Sequence, residues 1–235
     1  MYKNTLIELN PTPQELYDAY NKFIFAKDGK VFERLIARSL FFSKVVSVPG
    51  DVVELGVFKG AGMAAFIKLK HMFLSKSSPM KVVGFDCFDS EKLLSVMTDE
   101  EDRKKMEELF VSRKFKPSKD TWWNTYTSLK AMGASDTDFE LVDGDICDTI
   151  VKFVKESPGF RARLVYIDVD VYKPTLVALE ALWDRIPRGG IIVFDDYGID
   201  QWSEANAVDE FFADKPDVQL VATNLVCPTA YYIKT

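Results

Sequence analysis

Two short apolar runs that break into acid constrain this chain more than any other feature. They are Leu164-Val-Tyr-Ile-Asp168-Val-Asp170-Val-Tyr172 and, about one helix later, Gly189-Gly-Ile-Ile-Val-Phe-Asp195-Asp196-Tyr197. A run of about four to six such residues reads as a strand buried on both faces. The carboxylates then stand at the C-terminal ends of two strands, the edge at which open α/β sheets bind ligands. Acids gathered in one small region are costly unless a cation, a proton or a substrate hydroxyl offsets them. Asp168, Asp170, Asp195 and Asp196 are therefore the candidate chemical centre.

The rest of the chain supplies the sheet around them. Asp51-Val-Val-Glu54-Leu-Gly56-Val-Phe-Lys-Gly60-Ala-Gly62 runs into an apolar helix over Met63–Phe73, the order of a first βα unit. Its glycines let the backbone approach a ligand, but their spacing does not match GxGxxG, and Glu54 suits a cationic amine or hydroxyls better than a pyrophosphate. Lys81–Asp86 reads as a second strand whose terminal acid can accept from ribose hydroxyls. Phe139–Ile146 ends a third strand and opens a helix over Cys147–Glu156, with Asp145 either facing an adenine amino group or capping that helix. A helix over Pro174–Arg185, a strand at 190–194 and a helix over Glu204–Ala213 follow. Val218–Ala222 and Ala230–Lys234 then form a closing hairpin that makes the last strand antiparallel. The pattern predicts one α/β domain over residues 1–235, with a mostly parallel sheet and helices on both faces.

Two segments stand outside this rhythm. Residues 1–48 form an N-terminal helical extension: Thr12-Pro13-Gln14-Glu15 is a capping box starting a helix toward Phe25, and apolar residues at helical spacing mark a second helix from Val31 to Val46. They read as packing helices, with closure over the site or a dimer contact as the lesser reading. Residues 87–135 are an insert: a charged helix over Asp99–Phe110, a break at Lys114-Phe-Lys-Pro117, and a helix from Thr121 carrying Trp122, Trp123 and Tyr126. It is either a lid offering aromatic surface to an acceptor, or an oligomer interface or local core.

Composition narrows the partners. A length of 235 residues at 47% hydrophobic content is enough for one well-filled core. The formal charge of −6 argues against nucleic acid or an anionic membrane. Cys87, Cys147 and Cys227 are too scattered for a disulfide framework or a cysteine zinc site, so reduced thiols in the cytoplasm are expected. No apolar run approaches the ~18 residues of a membrane span, and Met1-Tyr-Lys-Asn-Thr lacks the build of a signal peptide. The single histidine, His71, lies roughly 16 Å along its helix from the ligand edge, which speaks against a histidine-dependent triad or zinc motif.

Together Val53-Glu-Leu-Gly-Val-Phe-Lys-Gly60, Gly84-Phe-Asp86, Gly144-Asp-Ile-Cys-Asp-Thr149, Asp168-Val-Asp-Val-Tyr-Lys-Pro-Thr175 and Gly189-Gly-Ile-Ile-Val-Phe-Asp-Asp-Tyr197 resemble the macrocin O-methyltransferase family. The resemblance implies a Rossmann-like class I fold, S-adenosylmethionine and Mg2+ as cofactors, and a hydroxyl on a sugar or sugar-bearing small molecule as acceptor. It places Asp168, Asp195 and Asp196 on metal-binding positions, Asp170 on a general base, and Glu54, Gly56, Gly60, Asp86, Asp145 and Ile146 on cofactor-binding positions. Some relatives use a histidine three residues after the first metal acid. Here that residue is Val171, which leaves Asp170 or Lys173 as base. Assembly into a homo-oligomer is compatible with all of this.

The chemistry fits the residues. Transfer of a methyl group from a sulfonium to an alcohol requires an alkoxide-like oxygen, and a hard dication held by carboxylates lowers the pKa of a hydroxyl it contacts. Asp170 shares a face with Asp168 if the strand persists, and Lys173 serves as base only if the site depresses its pKa. Two other classes stay open. A nicotinamide oxidoreductase shares the sheet and Asp86, although the glycine spacing and the hairpin speak against it, and a non-catalytic binding protein can occupy the same scaffold.

Overall fold

The computed structural model describes residues 11–75, 77–112 and 117–235. The break at 114–116 and the reading of Met1–Thr5 lie outside the described residues. Seven strands form one sheet: β1 Asp51–Leu55, β2 Val82–Asp86, β3 Phe139–Asp143, β4 Ala162–Ile167, β5 Ile191–Phe194, β6 Val221–Ala222 and β7 Ala230–Ile233. Their order is β3-β2-β1-β4-β5-β7-β6. The first five are parallel, while β7 runs antiparallel between β5 and β6. The closing hairpin is therefore present, with β6 shorter than the sequence pattern suggests.

Alternation along the strands divides the core into two layers. Val52, Val82, Leu164, Tyr166, Ile191 and Val193 face α2 (Lys30–Lys44) and α3 (Ala61–Phe73), where Phe41, Phe42, Met63, Phe66 and Ile67 pack on them. Val53, Leu55, Phe85, Val165, Ile167, Ile192 and Phe194 face α7 (Ile146–Glu156), α8 (Tyr172–Leu182) and α9 (Glu204–Phe212). The strands need no polar face because helices cover both sides.

The N-terminal extension is helical. In α1 (Pro13–Ile24) the Thr12 hydroxyl accepts from the Glu15 N–H and the Glu15 carboxylate accepts from the Thr12 N–H, so the capping box forms as read. No residue of α1 is buried. By contrast α2 lies on the sheet against α3. The insert folds into α4 (Ser90–Val96), α5 (Glu100–Ser112) and α6 (Thr121–Ala131). Trp122 and Tyr126 stack with centroids 5.3 Å apart and pack into the core layer beside Phe139 of β3.

Under the first loop, Glu54 and Arg38 form a buried ion pair at 2.8 Å. Gly62 makes room for it, since a Cβ there would lie 1.7 Å from Glu54 Oε1 and 2.7 Å from Arg38 Nη2. Gly62→Ala is expected to lower stability by at least about 1–3 kcal/mol, the range for overpacking, read as a shift in urea midpoint. An unchanged midpoint would show that the pair can be displaced cheaply.

Candidate active site

The switch in strand order between β1 and β4 opens a crevice at the carboxyl edge of the sheet. A cavity fills it. Gly56, Phe58, Asp86, Cys87, Asp145, Ile146 and Cys147 line one side, and Asp168, Asp170, Lys173 and Arg34 the other. The roof is Leu93, Val96 and Met97 with Met106, Leu109 and Phe110 of α5. The insert thus covers the cavity through α4 and α5. Trp122, Trp123 and Tyr126, expected to offer aromatic surface there, are not among the lining residues; core packing on β3 holds α6 away.

Backbone geometry sets the walls. Gly56 has φ +88°, and a Cβ on it would fall 1.8 Å from the Asp168 carbonyl oxygen, so the two strand ends meet at van der Waals contact only through glycine. Phe58 and Phe88 also adopt positive φ, a sparsely populated state that gathers at ligand sites. Their N–H groups donate to the two oxygens of Asp86 at 2.8 and 2.6 Å. Burial nevertheless lifts the Asp86 carboxyl above its ordinary pKa. Asp145 caps α7 by accepting from the Cys147 N–H at 2.9 Å, and it also lines the cavity. Gly60 meets Thr125 of α6, and Glu54 faces Arg38; neither lines the cavity.

The acids converge at the ends of β4 and β5. Asp168, Asp170 and Asp196 each offer an oxygen within 4.8 Å of the other two, and Asp195 and Asp196 do so with the Cys227 sulfur. Asp170 does not reach the cluster by strand alternation. The strand β4 stops at Ile167, and Asp170 sits at φ +65°, so a left-handed turn carries it back. Burial, together with the charges of Asp195 and Asp196, pushes the Asp168 carboxyl well above its ordinary pKa. The Asp170 carboxyl is raised by burial and by Asp196 and Asp168.

Four further residues complete the centre without a local signal in the sequence. Arg34 of α2 contacts Asp195 Oδ2 and lies 3.5 Å from Asp168 Oδ1. The Tyr166 hydroxyl donates to Asp195 Oδ1 at 2.7 Å, and the Arg38 guanidinium lies 4.4 Å from the centre of the Tyr166 ring. Glu204, fully buried at the start of α9, accepts from the Asp196 N–H at 3.1 Å, and its Oε2 has no hydrogen-bond partner among the described residues. Arg34 and Arg38 stand four residues apart on one face of α2, a spacing that by itself names no partner. His71 lies away from the centre, 3.1 Å from Asp138.

A seven-stranded sheet in this order, with β7 reversed and an acid-edged cavity at its switch point, is the fold of the class I methyltransferases. The model of the macrocin-O-methyltransferase (TylF) family matches residues 39–225, and the chain belongs to that family. It is 27% identical over 158 residues to the 8-demethyl-8-(2,3-dimethoxy-alpha-L-rhamnosyl)-tetracenomycin-C 4'-O-methyltransferase of Streptomyces olivaceus. That match covers 67% of this chain and 57% of the relative's length. Among solved structures, the calicheamicin methyltransferase CalS11 aligns over 96% of this chain and 94% of its own, with TM-score 0.67 and 20% identity. The O-methyltransferase NovP aligns over 86% and 79%, with TM-score 0.70 and 21% identity. Likeness at that identity is one of fold. Among the described residues no helix is long and apolar enough to cross a membrane.

Proposed function

We propose that the chain is an S-adenosylmethionine-dependent O-methyltransferase acting on a hydroxyl of a sugar or sugar-bearing small molecule. The observation that carries this reading is the single cavity running from Gly56, Asp86 and Asp145 to Asp168, Asp170 and Lys173. One end has the hydrogen-bond acceptors and the glycine approach that a nucleoside needs, and the other has the acids that handle a hydroxyl. The names of the tetracenomycin and calicheamicin relatives support a natural-product acceptor.

The donor set fits a hard divalent cation. Carboxylate oxygens are the ligands Mg2+ prefers, and Glu204 presents an orphaned carboxylate oxygen beside the cluster. Asp168 and Asp196 would hold it, with Asp195 completing the set by family resemblance and Asp170 by proximity. Bound there, Mg2+ supplies a positive charge that favours an ionised hydroxyl and can orient two adjacent ones. Arg34 offsets part of the acid charge in the meantime. Asp170, on the cavity wall, is placed to take the hydroxyl proton when it is not a ligand, and Lys173, the second residue of α8, is the alternative. The roof of α4 and α5 would exclude water, which otherwise competes for the methyl group. We place the activity in the cytoplasm, with no nucleic-acid or membrane partner.

Isothermal titration is expected to show saturable binding of S-adenosylhomocysteine, with methyl transfer to a sugar panel that stops on adding chelator and resumes with excess Mg2+. Failure of S-adenosylhomocysteine to bind would remove the cofactor, and full transfer in chelator would remove the metal. Saturable NADH fluorescence enhancement would favour the oxidoreductase reading instead.

A further inference from the structure

The acid cluster already contains a cation. Arg34 comes from α2, ahead of the sheet, yet its guanidinium reaches Asp195 and Asp168 at the far ends of β5 and β4. Asp195 is fully buried and both its oxygens are engaged by protein donors, Oδ2 by Arg34 and Oδ1 by the Tyr166 hydroxyl. Asp168, Asp170 and Asp196 face one another instead. A dication ligated by Asp195 Oδ2 would stand directly against the Arg34 guanidinium, so the two positive charges compete for that oxygen. The hydroxyl of Tyr166 sits on β4 and is fixed by the strand, whereas Arg34 is on a long side chain that can retract into the cavity it lines.

We propose that Arg34 is a positioning residue that competes with a divalent cation for Asp195, holding that acid in place until the cation arrives. The inference rests on the reading that a cation binds this cluster. Release of Arg34 would hand Asp195 to the metal, move the guanidinium toward the acceptor side of the cavity, and leave Asp170 free to act on a proton. It gives the N-terminal extension a chemical role beyond packing.

The test is a double-mutant cycle on Mn2+ affinity, read from the electron paramagnetic resonance signal of free Mn2+, with Mg2+ as competitor. Arg34→Gln is expected to tighten Mn2+ binding by about tenfold when Asp195 is present and by no more than about threefold in the Asp195→Asn background, a coupling typical of contacting charges. Arg34→Lys, which keeps the charge, should stay within about threefold of wild type. The double variant removes the Arg34–Asp195 pair as a unit, so neither of those two groups is left unpaired by the loss of the other. Equal tightening with and without Asp195, or no tightening, overturns the competition. Absence of Mn2+ binding in wild type and Arg34→Gln alike overturns the cation reading and this inference with it. Tight Mn2+ binding that is lost in Asp168→Asn but insensitive to Arg34 overturns the inference alone.

Discussion

Asp168→Asn is expected to lower methyl transfer by about a thousandfold or more while the fold persists, the size of effect seen when a charged group at a reacting centre is removed. The position is singular in this structure. Its backbone N–H donates to Leu55 at 2.9 Å, its carbonyl lies against Gly56, and its side chain joins Arg34 to Asp170 and Asp196. Asn keeps the volume and the backbone contacts, so sheet pairing should survive. The lost charge removes a cation ligand and one of the forces holding Arg34. Initial rates with labelled S-adenosylmethionine, on an acceptor that wild type methylates, give the comparison, with far-UV circular dichroism confirming the fold. A variant retaining activity within about threefold of wild type would show that Asp168 is only a strand-end acid. A small loss in turnover with a large rise in the KM for acceptor would instead make it a binding group.

How much of this was legible in the sequence depends on the range of the interaction involved. The parallel strands were read correctly because burial on both faces leaves an unbroken apolar run, as in Leu164–Ile167 and Ile191–Phe194, and the acids ending them mark the edge of the sheet. Thr12 and Glu15 announce their helix because both capping partners lie within one turn. Asp170 was assigned to the right region for the wrong reason, since alternation along a strand cannot foresee a residue at φ +65° beyond its end. Arg34 and Glu204 were missed altogether. Arg34 is 161 residues from Asp195, and no local periodicity reports a side chain crossing a sheet edge. Glu204 begins a helix, where an acid is unremarkable, and only burial gives it meaning. The glycines were read as letting the backbone approach a ligand; Gly56 does line the cavity, while Gly62 makes room for the ion pair of Arg38 and Glu54 and Gly60 for the approach of α6. In the insert, three clustered aromatics read equally as acceptor surface or as interface or local core, and Trp122 and Tyr126 take the core. The plainer residues Leu93, Met106 and Leu109 line the cavity instead.

A second large effect is expected far from the cavity, at Asp138→Asn, which should destabilise the fold by about 3–5 kcal/mol. Lys70, at the end of α3, is 1% exposed, and its ammonium is held 2.7 Å from Asp138 Oδ1. The other carboxylate oxygen accepts from the Ser135 N–H and hydroxyl at 2.8 and 2.7 Å. Burial opposes the Asp138 charge, but Lys70, Ser135 and His71 outweigh it and hold the carboxyl below its ordinary range. A group whose pKa is depressed on folding contributes stability above its unfolded pKa, about 3.9 for Asp, and loses it as pH falls through the folded value. Wild type should therefore lose stability in acid below about pH 4, where the Asp138→Asn curve is flatter. Near neutrality the variant leaves a buried ammonium without its counter-charge, and that uncompensated ion dominates the loss. Lys70→Met in the same chain should restore most of it, because replacing a buried pair by neutral groups of similar volume is close to neutral. Urea denaturation of wild type, the single variant and the double variant at neutral and acid pH measures all three terms. A double variant no more stable than Asp138→Asn would assign the cost to the Ser135 turn and not to the ammonium.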